Sequence, residues 1–332
     1  MKTSQLLNCA LLALGLAVAG CNKGNQVVVS TQNAPTGPVN LVLKWPVGRH
    51  GIQTMDMKMT SEVSTPWTKQ PVTQDMTLGQ SSSLTVLREM DGGKRELQLE
   101  FLGTTMSMTQ GGKSMLSYDS AKSPAGDNNP AAATLGKMVG AKVGFVLDAA
   151  NQVEMVEGVE DLAQRMTAAP GIDPSGMLKN MFSGDALKQQ VDFARNLPGK
   201  PVQPGDTWPV ERDYPMGPMG TMVMNFTFTL ADWEKHDGRY CAKIDMDGTL
   251  TSKAGDSDGL PGMKLVVTDG KCSGESWFDL DEGMFVDGTL NQDMKLDITI
   301  KNPMAARQPN APATVTLNSN VHQEITTSFK LK

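Results

Sequence analysis

The chain has 332 residues, of which 39% are hydrophobic and 20% are charged, and its formal net charge is −6. This length allows one large domain or two domains of medium size. The mildly acidic balance argues against a nucleic-acid partner and against a broad electrostatic attraction to anionic membranes.

The first residues have the pattern of a secretory signal peptide. Lys2 supplies a positive charge, and residues 6–19 are almost wholly apolar. This run is shorter than the ~20 apolar residues that a membrane-spanning helix needs, and it fits the apolar region of a signal peptide. It ends in small residues before Cys21, which resembles the lipobox of bacterial lipoproteins. The resemblance implies that residues 1–20 are removed and that the Cys21 sulfur carries a lipid; an ordinary signal peptide cleaved nearby is the alternative.

Residues 21–39 are predicted to be the lipidated cysteine and a flexible tether, because they are polar and contain glycine, proline, serine and threonine. Two or three acyl chains would anchor the protein stably to a membrane. Asn22 follows the cysteine, where an aspartate would resemble the inner-membrane retention signal of enteric-type bacteria. The absence of that aspartate predicts an outer-membrane location, with the body facing the periplasm or the exterior.

Beyond the tether, apolar and polar residues alternate with a period of two. The clearest alternating runs are residues 55–63, 97–101, 222–230, 294–300 and 325–331. Such alternation is typical of antiparallel strands with one buried and one solvated face. By contrast, residues 159–166 and 177–195 have apolar residues at helical spacing.

This order of elements predicts an α+β fold that is mainly antiparallel β-sheet. The predicted parts are an N-terminal β lobe at 40–157, a helical segment at 158–198 and a C-terminal β lobe at 199–332. The lobes look weakly duplicated, because Trp-Pro-Val-Gly-Arg at 45–49 is echoed by Trp-Pro-Val-Glu-Arg at 208–212. Chance similarity between two β-rich segments is the alternative.

Cys241 and Cys272 are the two cysteines that remain once Cys9 leaves with the signal and Cys21 is lipidated. Two thiols in an oxidising compartment predict a disulfide. A pair of buried free thiols is the alternative.

A search for catalytic and metal-binding motifs is negative. The three histidines form no ligand-spaced pair, and Cys-x-x-Cys and His-Glu-x-x-His are absent. The acidic turns at 245–248 and 256–259 lack the glycine that an EF-hand loop needs at its sixth position. No Gly-x-Ser-x-Gly nucleophile motif occurs. We therefore predict no catalytic residue, no metal and no cofactor, and a protein that is not an enzyme.

Methionine is unusually frequent, at 23 residues. On buried strand faces it would replace leucine and isoleucine as a flexible core filler, and it also lines adaptable apolar binding surfaces. A third interpretation is Cu(I) binding by the dense run at 216–224, because the soft thioether suits this ion.

The stretch at 201–208 reads Pro-Val-x-x-Gly-Asp-x-Trp. Together with the lipobox and the helical middle, it resembles a family of bacterial lipoproteins of unknown function. The resemblance implies secretion, a β-rich body and no assigned activity, and it supplies no catalytic residues.

The expected function is a non-enzymatic binding or carrier module. A curved antiparallel sheet covered by helices would form an apolar trough that could hold an acyl chain or another hydrophobic ligand. The alternative is a structural or interaction protein of the cell envelope that binds an envelope protein and no small molecule. The sequence does not identify the ligand-binding residues, and a hydrolytic enzyme is a less favoured third class.

Overall fold

The computed structural model describes residues 33–68, 70–123, 130–167, 184–215, 221–253, 264–302, 305 and 312–332. The strands are β1 (His50–Ser64), β2 (Val72–Glu89), β3 (Arg95–Gln110), β4 (Lys113–Asp119), β5 (Lys142–Leu147), β6 (Val153–Glu157), β7 (Thr207–Pro215), β8 (Thr221–His236), β9 (Arg239–Lys253), β10 (Lys264–Asp279), β11 (Met284–Lys301) and β12 (Thr314–Leu331). The helices within the described ranges are α1 (Pro130–Gly136), α2 (Val159–Thr167) and α3 (Gly184–Val191), with short 3-10 turns at Asp91–Gly93 and Phe193–Asn196. In these same ranges, no helix is long and apolar enough to cross a membrane.

All twelve strands belong to one antiparallel sheet. Its order is β6-β5-β3-β2-β1-β12-β11-β10-β9-β8-β7, and β4 pairs with β3 beside this path. With one exception, strands that are neighbours in the sheet are consecutive in the sequence or, for β3 and β5, separated by one strand. The exception is the pairing of β1 with β12, which runs from Gly51–Leu331 to Ser64–Asn318 and joins the first six strands to the last six.

The predicted α+β fold with two lobes and a helical segment between them is therefore wrong. Alternation shows which face of a strand is buried, but it does not show which strand lies beside it. The free edges of β1 and β12 carry backbone N–H and C=O groups that need partners, and pairing the two strands satisfies both edges at once. The predicted helix at 159–166 is confirmed as α2, but the described helices are short and form no separate layer. Residues 168–183, where part of the helical prediction falls, lie outside the described residues.

The sheet curls around its apolar face. Gln292 on β11 and Met224 on β8 are separated by β10 and β9. On a flat sheet their backbones would lie about 14 Å apart, because neighbouring strands are spaced by about 4.8 Å. Gln292 Nε2 nevertheless donates a hydrogen bond to Met224 Sδ at 3.6 Å. Gly248 on β9 helps to make the bend possible, because a Cβ there would lie 2.5 Å from the carbonyl oxygen of Asn225.

The two ends of the curled sheet approach each other at α3. The edge strands β6 and β7 both contact this helix. The segment that precedes β1 packs at the same end: Val39 pairs with Val202, and the buried Trp45 ring lies 6.2 Å from the Phe193 ring. Every strand except β4 contributes to one buried apolar cluster, so the molecule has one main interior, enclosed by the sheet and closed at one end by these segments.

Candidate functional site

The structure places the residues predicted from the sequence as follows. Cys21 lies outside the described residues, so its lipidation stays a prediction. Cys241 and Cys272 are buried free thiols, and burial raises the pKa of each to about 12. The predicted disulfide is therefore absent from the structure.

The register of the sheet explains why these cysteines do not pair. Cys272 lies opposite Gly248, whereas Cys241 is itself on β9. Seven residues of strand separate Cys241 from Gly248, a distance of about 23 Å. Cα atoms joined by a disulfide lie within about 7 Å of each other. Cysteine spacing in the sequence carries no information about this register.

Methionines line much of the inner face. The buried examples on strands are Met57, Met59, Met76, Met222, Met224, Met246, Met284 and Met294. Their side chains belong to the apolar interior, as the alternation predicted for those at 55–63, 222–230 and 294–300. Met216 and Met219, which belong to the proposed Cu(I) run, lie outside the described residues. The described parts of the chain contain no group of three or more histidine, cysteine, aspartate or glutamate side chains that could hold a metal ion.

Two glutamines interrupt this apolar surface. Gln292 on β11 and Gln323 on β12 lie directly opposite each other and are 0% and 3% exposed. Gln323 Nε2 donates to Met57 Sδ at 2.8 Å, so both amide groups donate to thioethers, which are weak acceptors. Within the described residues, Gln292 Oε1 has no hydrogen-bond partner. A buried polar group left in this state costs about 1–3 kcal/mol.

Buried hydroxyl groups extend this polar surface. Ser61 on β1 and Ser319 on β12 are 0% and 2% exposed. Among the residues that the structure describes, their hydroxyl oxygens make no hydrogen bond. We call the four side chains Ser61, Gln292, Ser319 and Gln323 the interior polar band. They lie on the three neighbouring strands β1, β12 and β11. The inner face therefore combines an apolar lining with polar side chains, and Ser61, Gln292 and Ser319 each have an oxygen without a partner among the described residues.

Arg212 is the second polar feature of the interior. It lies on the inner face of β7, opposite Met224, and is 1% exposed. Its NH2 nitrogen donates to the Asp192 carbonyl oxygen at 3.1 Å and to Asn196 Oδ1 at 2.7 Å. Nε and NH1 have no partner in the described part of the chain. Burial lowers the pKa of the guanidinium, and the charge of Asp192 opposes this effect.

Asp192 stands beside this guanidinium and is 2% exposed. Its Oδ2 atom pairs with Arg195 Nε at 2.9 Å, while Oδ1 has no hydrogen-bond partner among the described residues. Burial raises the pKa of the carboxyl group, and Arg212 and Arg195 act against the rise. The group therefore holds two cations and one anion at the edge of an apolar interior.

Sequence reasoning did not single out Arg212, although a signal was present. Counting by twos from Trp208 gives Val210, Arg212 and Tyr214, so the alternation that marks the apolar face also assigns the arginine to it. The similar stretch at 45–49 also ends in an arginine, Arg49. Both terminal nitrogens of Arg49 have partners: NH1 donates to the Lys44 and Glu282 carbonyl oxygens, and NH2 pairs with the Glu282 carboxylate at 2.8 Å.

The outer face offers a different kind of surface. A cleft of about 390 Å³ lies across β12, β1, β2 and β3, with Gly79 among its lining residues. Its rim carries the exposed ion pair Lys58–Glu324 at 3.4 Å. The cleft is open and lined by charged and hydroxyl groups as well as apolar ones, so it suits a hydrophobic ligand less well than the interior does.

His236 forms a separate contact group with Trp277 and Asp287 on the outer face. The His236 ring stacks on the Trp277 ring, with centroids 4.7 Å apart. His236 Nε2 also hydrogen-bonds to Asp287 Oδ2, and this bond is the main reason why the pKa of the histidine is raised. The hydrogen bond between His236 and Asp287 links β8 to β11 across β9 and β10.

Comparison with known families gives an assignment without a function. The model of DUF6263, a family of unknown function, matches residues 92–285. The chain belongs to this family. The DUF6263 match confirms the expectation of a family without assigned activity, whereas the lipobox stays a prediction. No curated protein matches the sequence.

Solved structures give only weak likenesses. A structure describing lipid–protein interactions in lipovitellin has a TM-score of 0.43 at 7% identity, covering 87% of this chain and 26% of that one. OccK7 (OpdD) of Pseudomonas aeruginosa has a TM-score of 0.20 at 7% identity, covering 86% of this chain and 100% of that one. An outer membrane lipoprotein-sorting protein domain from Vibrio parahaemolyticus has a TM-score of 0.12 at 8% identity, covering 85% of each chain. These TM-scores are too low to assign a fold or a function.

Proposed function

We propose that this protein is a non-enzymatic carrier or sensor that binds a hydrophobic ligand inside its curled sheet. A lipid on Cys21 would hold it at the outer membrane of a bacterial cell. The observation that carries the proposal is an apolar interior whose buried polar side chains have hydrogen-bonding atoms without partners among the described residues.

The number of strands supports a ligand space. A closed sheet of eight strands encloses about as much room as its own inward side chains fill, and more strands enclose more room. This sheet is open, since its edge strands β6 and β7 are not paired with each other, but eleven strands follow one another along its path and both edges contact α3. The segment around Trp45 and the turn around Phe193 fill one end, and the rest of the inner face carries long methionine and leucine side chains. Methionine adapts to ligands of irregular shape.

The interior polar band supports a ligand that is not purely hydrocarbon. In a core selected only for stability, a buried amide or hydroxyl without a partner would be replaced by an apolar residue of similar size. Gln292 and Ser61 are retained in the interior and have unsatisfied oxygens there. A ligand with an apolar body and one or two polar groups would satisfy them.

The test uses residues 21–332 carrying Cys21→Ser, because this form has neither the predicted signal peptide nor a lipid of its own. We expect native mass spectrometry and solvent extraction to reveal a bound lipid after mild purification. We also expect N-phenyl-1-naphthylamine to bind with increased fluorescence. Substituting Ser61→Phe should fill the interior and abolish binding of this probe.

Ser64→Phe is the matched control, since Ser64 lies on the outer face of the same strand and its substitution should leave binding unchanged. Absence of both a co-purifying lipid and probe binding would overturn the proposal. If the interior is already packed, Ser61→Phe should also lower the free energy of unfolding by about 1–3 kcal/mol, because the larger side chain would overpack a filled core. The alternative of an envelope interaction protein would then be tested by cross-linking in cells.

A further inference from the structure

Arg212 differs from an ordinary buried arginine. Its NH2 nitrogen makes two hydrogen bonds, but the single N–H of Nε and the two of NH1 are unpartnered within the described residues. Leaving donors of a buried cation unused is more costly than leaving those of a neutral group unused. Arg49, which ends the similar stretch at 45–49, binds surrounding carbonyl and carboxylate oxygens instead. Arg212 therefore has room in its hydrogen-bonding shell for an acceptor that the described protein does not supply.

The charge around Arg212 favours an anionic acceptor. Asp192 Oδ2 is engaged by Arg195, whose own side chain is half-exposed. Among the described residues, no carboxylate forms an ion pair with Arg212, and its hydrogen bonds go to a carbonyl oxygen and an amide oxygen. A ligand group with one negative charge would supply the ion pair that the guanidinium lacks. Burial strengthens such an interaction, because the apolar surroundings screen it less than water does.

The position of Arg212 in the fold also suits the polar end of a long ligand. It lies on β7, one of the two edge strands, next to the 3-10 turn that follows α3. Its neighbour across the strand pair is Met224, which reaches Gln292 in the interior. A ligand whose head group meets Arg212 at this edge can extend its apolar part along the methionine-lined face.

We propose that Arg212 binds the carboxylate of a fatty acid whose alkyl chain lies in the interior of the sheet. This inference rests on the proposed function and adds the chemical class of the ligand. NH1 donates to a carboxylate oxygen of the ligand, and a hydrogen bond between two charged groups is roughly twice as strong as a neutral one. Asn196 and the Asp192 carbonyl oxygen hold the guanidinium in place through its third nitrogen.

The experiment compares laurate with 1-dodecanol, which has the same chain length and no charge. Each is titrated as a competitor of N-phenyl-1-naphthylamine for residues 21–332 carrying Cys21→Ser, at pH 8. We expect the wild-type interior to prefer laurate by about tenfold or more, the size of one charge-assisted hydrogen bond. In Arg212→Gln this preference should fall below about threefold, with dodecanol binding almost unchanged.

Two controls define the outcome. Arg49→Gln removes a part-buried arginine whose two terminal nitrogens both have protein partners, and it should retain the preference for laurate. Acetate should not compete, because it lacks the chain that the interior binds. Equal affinity of the wild-type protein for laurate and dodecanol would overturn the assignment of Arg212 even if Arg212→Gln does not fold. An unchanged preference in a folded Arg212→Gln would overturn it too; both results leave the proposed function intact. Failure of both ligands to bind would remove both proposals.

Discussion

Replacing Gln292 by methionine removes an amide that the interior does not satisfy. The side chain is 0% exposed, its Oε1 has no partner among the described residues, and its Nε2 donates only to the Met224 sulfur at 3.6 Å. An unsatisfied buried group costs about 1–3 kcal/mol, and the bond to sulfur returns less than an ordinary hydrogen bond would. Methionine has nearly the same length and volume, so little new strain is expected. We therefore expect Gln292→Met to raise the free energy of unfolding by about 1–2 kcal/mol.

The measurement is urea-induced unfolding of the ligand-free full chain, followed by the fluorescence of the buried tryptophans. The slope against urea should not change, and the midpoint should rise. Asn291→Met is the control, because Asn291 precedes Gln292 on the exposed outer face and its substitution should change stability by less than about 0.5 kcal/mol. Destabilisation of Gln292→Met by 1 kcal/mol or more would refute the reasoning, since it would show that the amide has good partners in the interior. If the amide serves a ligand, the more stable variant should bind that ligand less tightly.

Three further predictions concern the curl of the sheet, an outer-face histidine and a thiol. Gly274→Ala should lower stability by about 3 kcal/mol or more in the same assay, because its Cβ would overlap a backbone oxygen of the neighbouring strand; Gly37→Ala, whose Cβ meets nothing within 4 Å, should be neutral. The Asp287 hydrogen bond raises the pKa of His236. The contribution of the charged histidine to the free energy of unfolding is therefore complete below the unfolded pKa of about 6.5 and is lost as pH rises through the higher folded value. A His236→Gln variant whose stability has the same pH dependence as that of the wild type would contradict this. Cys241, buried with a pKa of about 12, should resist alkylation by iodoacetamide at pH 8 until the protein unfolds, and rapid labelling of the native protein would disprove its burial.

The strand content and the buried face of most strands could be predicted from the sequence. Alternation at 222–230 and 294–300 correctly assigned the apolar residues to one face, because side chains alternate across any strand whatever its neighbours. The same rule, counted from Trp208, would have placed Arg212 on that face. The predicted signal peptide and the lipid on Cys21 depend on a local motif, and the structure adds nothing to them.

Pairing and curvature were decided only by the tertiary structure. The contact between β1 and β12 joins residues at opposite ends of the chain, and no local pattern encodes which strand edge a free edge will meet. The same register separates Cys241 from Cys272 along β9, so two cysteines that looked like a disulfide remain free. Whether Arg212 is satisfied, as Arg49 is, depends on which oxygens the fold brings within about 3 Å of it. The sequence determined which side chains face the interior, but the unmet hydrogen bonds in that interior, and with them the candidate site, arise from the three-dimensional packing.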